Sequence, residues 1–107
     1  MKYIEIMRII TIRRIRAFSK QHPDSETALI DWYNTLQNCQ ANNITELRNT
    51  FKTADMVGRA TVFNIKGNHY RLIAAIHYNR QLVHILEILT HDQYSKETWK
   101  KRHHVFD

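Results

Sequence analysis

The chain has 107 residues, of which 43% are hydrophobic and 24% are charged, and its formal net charge at pH 7 is +6. This composition predicts a single globular domain over residues 1–107 and excludes a disordered chain. The lone cysteine, Cys39, excludes an internal disulfide, and no apolar run approaches the roughly 18 residues that a membrane-spanning helix needs. A domain this basic often binds nucleic acid or an acidic protein.

The N-terminal part of the chain predicts one strand and then two helices. Residues 7–11 read MRIIT and favour a strand, and residues 1–6 are interpreted as an N-terminal extension or an edge continuation of it. Apolar residues then recur at helical spacing until Pro23, which ends the first helix and can open the second. The second helix is expected over about residues 23–38, so that the two helices form a hairpin on a sheet.

The middle of the chain is predicted to connect the second helix to the sheet. Residues 38–43 form a polar loop, and residues 45–51 indicate a short helix. Residues 52–59 lead from this helix into the sheet, with a turn at Gly58.

Three strands are predicted within residues 61–94, where three apolar runs are separated by two short polar breaks. Gly67-Asn68 suits a two-residue hairpin turn, and Asn79-Arg80 is short enough for a second one. The first turn sets Asn64 opposite Arg71. By the same counting, the second turn sets three pairs opposite each other: Ala74 and Ile85, Ile76 and Val83, and Ile73 and Leu86.

This register separates apolar from polar side chains. One face carries apolar residues, namely Phe63, Ile65, Tyr70, Leu72, Ala74 and Ile76. The other face carries residues suited to binding a phosphodiester and moving protons, namely Asn64, Lys66, His69, Arg71, His77 and His84. The alternative interpretation is an ordinary solvated face, which antiparallel sheets commonly have.

The order of elements predicts an α+β fold: an antiparallel sheet with two N-terminal helices packed on one face and an open basic face. Residues 91–101 are expected to form a short final helix or an ordered segment, and residues 101–107 a basic tail. No phosphate-binding glycine loop or CxxC motif occurs, and apart from the pair His103-His104 the histidines lack metal-ligand spacing. We therefore expect neither a metal site nor a cofactor.

Five blocks of this sequence, in order, resemble the HigB-type toxins of the RelE superfamily: HPDSE with DWY, TADMVGR, VFNIKGNHYRL, IHYNR and LTHDQY. The resemblance covers nearly all of residues 7–100. It implies a RelE-like fold and the toxin of a type II toxin–antitoxin system, a cytoplasmic endoribonuclease that cleaves mRNA without a metal, typically on the ribosome. It also implies neutralisation by a helix-turn-helix antitoxin and contact with DNA only through the complex with that antitoxin.

The chemistry implied by this resemblance is attack of a ribose 2′-hydroxyl on the adjacent phosphate, which needs a base, an acid and cations. Arg71 is the expected ligand of the phosphate, and Lys66 a second one. His91 and Tyr94, in the LTHDQY block, are candidates for proton transfer or base stacking, although His91 requires a bulge or a strand end near Thr90. The remaining candidate RNA contacts are Asn64, Asn68, His69, Arg59 and Lys52.

Two alternatives remain open at this point. Leu86 stands where similar toxins commonly carry arginine, and Ser95 where many carry aspartate, so the chain could be a non-catalytic RNA- or protein-binding domain derived from such a toxin. Its basic surface could also serve mainly to hold an acidic protein. Arg71 could pair with Glu87 instead of a phosphate, but the predicted register places these two residues on opposite faces.

Overall fold

The computed structural model describes residues 7–107, and the interpretation of residues 1–6 lies outside the described residues. The strands are β1 (Arg8–Ile10), β2 (Asp55–Val57), β3 (Ala60–Ile65), β4 (Tyr70–His77) and β5 (Leu82–Thr90). The α-helices are α1 (Arg13–Gln21), α2 (Glu26–Gln37), α3 (Ile44–Thr50), α4 (His91–Ser95) and α5 (Thr98–Arg102), with a 3₁₀ turn over Pro23–Ser25. No helix in this part of the chain is long and apolar enough to cross a membrane.

The sheet has the strand order β1-β5-β4-β3-β2. Strands β3, β4 and β5 pair antiparallel, as predicted. β2 also pairs antiparallel with β3, but it lies within residues 52–59, which were interpreted as a connection and not as a strand. β1 pairs with β5 in parallel. The α+β class is confirmed, and the expectation of a purely antiparallel sheet is wrong. The expectation came from the hairpin turns, and no hairpin turn joins β1 to β5, so nothing local sets the direction of β1.

The predicted register of the first hairpin is confirmed. Asn64 lies opposite Arg71, and Ile65 lies opposite Tyr70. The turn is closed by the N–H of His69, which donates to the carbonyl of Lys66 at 3.2 Å. Both Lys66 and Gly67 have left-handed backbone conformations, with φ of 53° and 65°. The left-handed conformation of Lys66 was not predicted. Because of it, the Lys66 side chain does not follow the alternation of side chains between the two faces of β3.

The second hairpin contains a β-bulge that the sequence did not predict. The pairs Ile76–Val83 and Ala74–Ile85 are confirmed, but Ile73 lies opposite Glu87 because the register shifts between Ile73 and Ala74. Leu86 is therefore the extra residue and does not face Ile73. The same shift places Glu87 on the face of Arg71, so the predicted separation of these two residues is wrong. A bulge adds one residue to one strand of the pair, and the length of the turn does not predict such an insertion.

Helices α1 and α2 cover one face of the sheet and form the main core. Leu29 and Leu36 of α2 are fully buried, and Trp32 packs its ring against Phe63 of β3 at 5.3 Å between centroids. The predicted apolar face, including Leu72, faces this layer. The apolar surface that these aromatic and aliphatic side chains bury together stabilises the domain.

The opposite face is not open along its whole length. Trp99 of α5 and Val105 beyond it are buried against the apolar residues of this face, namely Ala60, Val62, Ile73 and Leu89. The expected open basic face is therefore open only in part, and residues 101–107 do not form a free tail. The physical reason is that Val62, Ile73 and Leu89 share the face of Arg71 and would otherwise expose a large apolar surface.

The C-terminal segment is held by backbone contacts as well as by Trp99. The N–H of Arg59 donates to the carbonyl of Val105 at 2.8 Å, and its guanidinium donates to the carbonyl of His104 at 3.0 Å. Gly58 has φ of 59°, and a Cβ there would lie 2.0 Å from the carbonyl oxygen of Val105. The predicted turn at Gly58 thus needs glycine both for its conformation and for this close approach.

Replacing the buried indole of Trp99 should make the protein much less stable to unfolding. Trp99→Ala is expected to lower the free energy of unfolding by about 3–5 kcal/mol, because the substitution loses buried apolar surface and leaves a cavity. Urea unfolding followed by circular dichroism measures this loss. Phe106→Ala is the matched control, since its side chain is 69% exposed, and it should change the free energy by less than about 0.5 kcal/mol. Equal losses in the two variants would contradict a stabilising core formed by Trp99 on this face of the sheet.

Candidate functional site

Arg71 projects from the face opposite helices α1 and α2, near the start of β4. Its side chain is half-buried, and its Nη1 donates to the carbonyl of Asn68 at 2.8 Å and to that of Tyr70 at 3.3 Å. Within residues 7–107, its Nε and Nη2 have no hydrogen-bond partner. The guanidinium is thus fixed by one nitrogen and keeps two donors for a ligand.

Tyr94 of α4 lies beside this guanidinium. The Cζ of Arg71 is 5.2 Å from the centroid of the Tyr94 ring, and the same ring stacks on Trp99 with centroids 5.3 Å apart and planes at 17°. The indole N–H of Trp99 donates to the carbonyl of Tyr94 at 3.2 Å. A cation over an aromatic face gains about 0.5–1 kcal/mol at an exposed site. Trp99 therefore positions Tyr94, and Tyr94 positions Arg71.

His91 meets the condition set for it by the sequence, because β5 ends at Thr90. Thr90 caps α4: its hydroxyl accepts from the N–H of Gln93, and the Gln93 side chain accepts from the N–H of Thr90. The N–H of His91 donates to the carbonyl of His69 at 3.0 Å, which ties α4 to the first hairpin turn. The His91 side chain is exposed, and its ring has no partner within residues 7–107.

The structure brings most of the predicted site residues to this end of the sheet. They are Asn64, Asn68, His69, Arg71, His91 and Tyr94. Together they offer one fixed cation, a phenol, two imidazoles and two side-chain amides. These groups can bind an anion and transfer protons.

Lys66 does not join this group, although the sequence predicted it on the same face. Its ammonium pairs with Asp24 at 2.9 Å, and Asp24 also accepts a hydrogen bond from the hydroxyl of Tyr70 at 2.7 Å. The Lys66 hydrogen bond, followed by that of Tyr70, lowers the pKa of Asp24, and the Asp24 carboxylate in turn raises the pKa of Tyr70. Lys66 turns toward the helices because its left-handed backbone interrupts the strand alternation.

Arg59 and Lys52 also lie apart from Arg71. Arg59 precedes β3 by one residue and Asn64 by five, which is roughly 16 Å along an extended strand. Its guanidinium is engaged by the C-terminal segment. Lys52 is exposed in the turn before β2. Within residues 7–107, neither cation makes a hydrogen bond or ring contact with the group at Arg71.

Glu87 is occupied by α5 and not by Arg71. Arg102 donates to both carboxylate oxygens of Glu87 at 3.0 Å, and the Nε2 of His103 lies 2.7 Å from one of them. The alternative role of Arg71 as the partner of Glu87 is therefore wrong. Leu86, next to Glu87, lines a cavity of about 300 Å³ together with Arg59, His77 and His103.

Sequence reasoning missed Trp99 and Asp24, which support the site from outside it. A signal for Trp99 was available, because a tryptophan and Val105 are apolar residues within a segment interpreted as a basic end. Asp24 is far from Lys66 in sequence and gave no such signal. Among residues 7–107, no group of three or more His, Cys, Asp or Glu side chains is arranged to hold a metal ion.

The model of a known protein family matches most of this chain. Residues 25–97 match the model of the HigB_toxin family, described as the RelE-like toxic component of a toxin–antitoxin system. The chain belongs to the HigB toxin family. The matched range contains every residue of the convergent group at Arg71, and the resemblance seen in the sequence blocks is confirmed.

Relatives of this toxin carry names that state an activity. The mRNA interferase toxin HigB of Escherichia coli K12 is 26% identical over 91 residues, which covers 82% of this chain and 88% of the relative. The mRNA interferases HigB of Escherichia coli O157:H7 and Shigella flexneri match with the same identity and coverage.

The toxin should lose stability in acid as Asp24 is protonated. Because the folded-state pKa of Asp24 lies below the ordinary value of 3.8, its contacts stabilise the fold fully above that pH and are lost as the pH falls through the lowered pKa. The difference in unfolding free energy between wild type and Asp24→Asn should therefore shrink below pH 3.8. Urea titrations over a pH series measure it. Asp31→Asn, an exposed carboxylate of α2, is the control, and a pH-independent difference for Asp24→Asn would contradict the ion pair.

Proposed function

We propose that this HigB-family toxin is an endoribonuclease that cleaves mRNA, with Arg71 binding the phosphate at the point of cleavage. The single observation that carries the proposal is the guanidinium of Arg71, held by one nitrogen and a tyrosine ring with its other donors directed to no protein group within residues 7–107. The names of the relatives support the same activity. Cleavage on the ribosome, in the cytoplasm, and neutralisation by a helix-turn-helix antitoxin are further parts of this proposal.

Arg71 suits the phosphate because a guanidinium can donate two parallel hydrogen bonds to two phosphate oxygens. When the 2′-oxygen attacks phosphorus, negative charge develops on those oxygens, and a fixed cation stabilises it more than it stabilises the substrate. The 2′-oxygen–phosphorus bond forms and the bond from phosphorus to the 5′-oxygen breaks, leaving a 2′,3′-cyclic phosphate and a 5′-hydroxyl.

Tyr94 and His91 are the proposed proton-transfer groups. The Tyr94 ring is in contact with Arg71 and Trp99, so little of it is left for a nucleobase, while its hydroxyl has no partner within residues 7–107. His91 is exposed and can exchange a proton or stack on a base. One proton must leave the 2′-hydroxyl and one must reach the departing 5′-oxygen. Tyr94, in contact with Arg71, and His91, tied through its backbone to His69, are the groups proposed to carry these protons.

The surrounding polar residues are proposed to hold the RNA strand. Asn64, Asn68 and His69 surround Arg71 at the first hairpin and offer hydrogen bonds to ribose and base edges. Arg59 and Lys52 are proposed to act only at longer range, through attraction of the phosphate backbone. Lys66 is paired with Asp24 in the structure, and a direct role in phosphate binding would require that ion pair to open.

Removing the guanidinium tests the proposal. Expression of the wild-type toxin without its antitoxin should arrest growth and produce cleaved messages in a primer-extension map. Arg71→Ala should lower the cleavage rate by on the order of 100-fold, since it deletes a preorganised donor to the transition state. Arg80→Ala, an exposed arginine in the second hairpin turn, is the matched control. Unchanged arrest and cleavage in Arg71→Ala would remove Arg71 from the mechanism.

Two substitutions separate the hydroxyl of Tyr94 from its ring. Tyr94→Phe keeps the support under Arg71, so a fall in cleavage of roughly 100-fold would come from the lost proton-transfer group. The cleavage rate of Tyr94→Ala should fall further, because this substitution also removes the ring that supports the guanidinium of Arg71. The purified variants are compared on one RNA substrate, with urea unfolding as a check on the fold. Full activity in Tyr94→Phe would show that the residue serves only as the support of Arg71.

A non-catalytic RNA-binding domain is the second candidate function, favoured by one observation. Leu86 supplies no cation to the face of Arg71, whereas similar toxins commonly have arginine there. The same primer-extension map decides between the two candidates. Salt-sensitive RNA binding by wild type with no cleaved message would favour the binding domain.

A further inference from the structure

A surface groove lies between α1 and α2, on the side of the protein away from Arg71. It encloses about 600 Å³. Residues of α1 and its flanks at helical spacing form one wall, namely Ile12, Ile15, Arg16, Ser19 and Lys20, and Pro23, Glu26 and Ile30 form the other. From Ile12 to Lys20 the groove is about 12 Å long, which corresponds to roughly two turns of a helix.

The floor of the groove is apolar, and one buried hydroxyl in it lacks a hydrogen bond. Ile30 is 46% exposed, although it is a large aliphatic residue on a helix that packs on the core. Ser19 is buried, and its hydroxyl has no hydrogen-bond partner among residues 7–107. A buried hydroxyl without a partner is uncommon and costs free energy, so the groove lacks a group that would complete it.

The rim of the groove is mainly cationic. Arg16 and Lys20 stand on the α1 wall, and neither has an ion-pair partner within residues 7–107. Helix α1 carries four basic residues and no acidic one. Glu26 is the acidic residue among those that line the groove. A partner would match this pattern with carboxylates toward α1 and a base toward Glu26.

We propose that this groove binds the antitoxin, through an amphipathic helical segment with an apolar stripe and acidic residues on one flank. A helix that places residues at i, i+3, i+4 and i+7 in an apolar groove is a recurrent mode of recognition, and two facing helical walls fit it. The inference rests on the proposed toxin–antitoxin function but not on RNA cleavage. Because α1 and α2 cover the face opposite Arg71, this contact leaves the guanidinium uncovered.

The test uses purified full-length toxin and the protein encoded by the small reading frame beside its gene, with binding measured by calorimetry. Ile30→Asp and the double variant Arg16→Glu/Lys20→Glu should each raise the dissociation constant by at least about tenfold. Arg14→Glu is the matched control, because Arg14 lies on the other side of α1, toward Glu87 and Ile88. All variants are checked for unchanged urea unfolding.

The outcomes separate this proposal from the nuclease proposal. Weakened antitoxin binding by the two groove variants, with RNA cleavage unchanged, supports the groove, and Arg71→Ala should leave antitoxin binding unchanged. Unaltered binding in both groove variants, or an equal loss in Arg14→Glu, overturns it. So does a toxin that forms dimers by sedimentation and becomes monomeric in Ile30→Asp without any change in antitoxin binding, since the groove would then hold a second copy of the chain.

Discussion

The burial of Trp99 against the sheet is the interaction on which the functional end of this toxin depends. The indole is inaccessible to solvent, covers the apolar part of the face that also carries Arg71, and stacks on Tyr94. Tyr94 in turn lies under the guanidinium. A cation on a long flexible side chain is thereby held in one place by packing, and such preorganisation is what lets a charged group stabilise a transition state.

The alternation of β4 divides the protein into two layers with different tasks. Residues such as Leu72 point to the helices and form the main core, while Arg71 and Ile73 point to the other side. The face of Arg71 is then shared between a covered apolar part and an exposed polar end. The helices on the far side carry the basic groove, so the surface proposed for RNA and the surface proposed for the antitoxin do not overlap.

Local electrostatics decides which cations are available to a substrate. Lys66 and Arg71 are close in sequence and both near the first hairpin turn, yet Lys66 is neutralised by Asp24 whereas Arg71 has no carboxylate partner within residues 7–107. Glu87, the carboxylate nearest in register to Arg71, is taken by Arg102 and His103 of the C-terminal segment. The C-terminal segment thus frees the arginine electrostatically as well as positioning it.

The α+β class, both hairpins, the pairing of Asn64 with Arg71 and the face of Arg71 were all determined by the sequence alone. Alternation and turn length are local properties, and they need no knowledge of distant residues. The bulge at Leu86, the parallel β1, the ion pair of Lys66 with Asp24 and the docking of Trp99 were decided only by the tertiary structure. Each of these depends on contacts between segments far apart in the chain, where burial of apolar surface and charge pairing outweigh the local pattern.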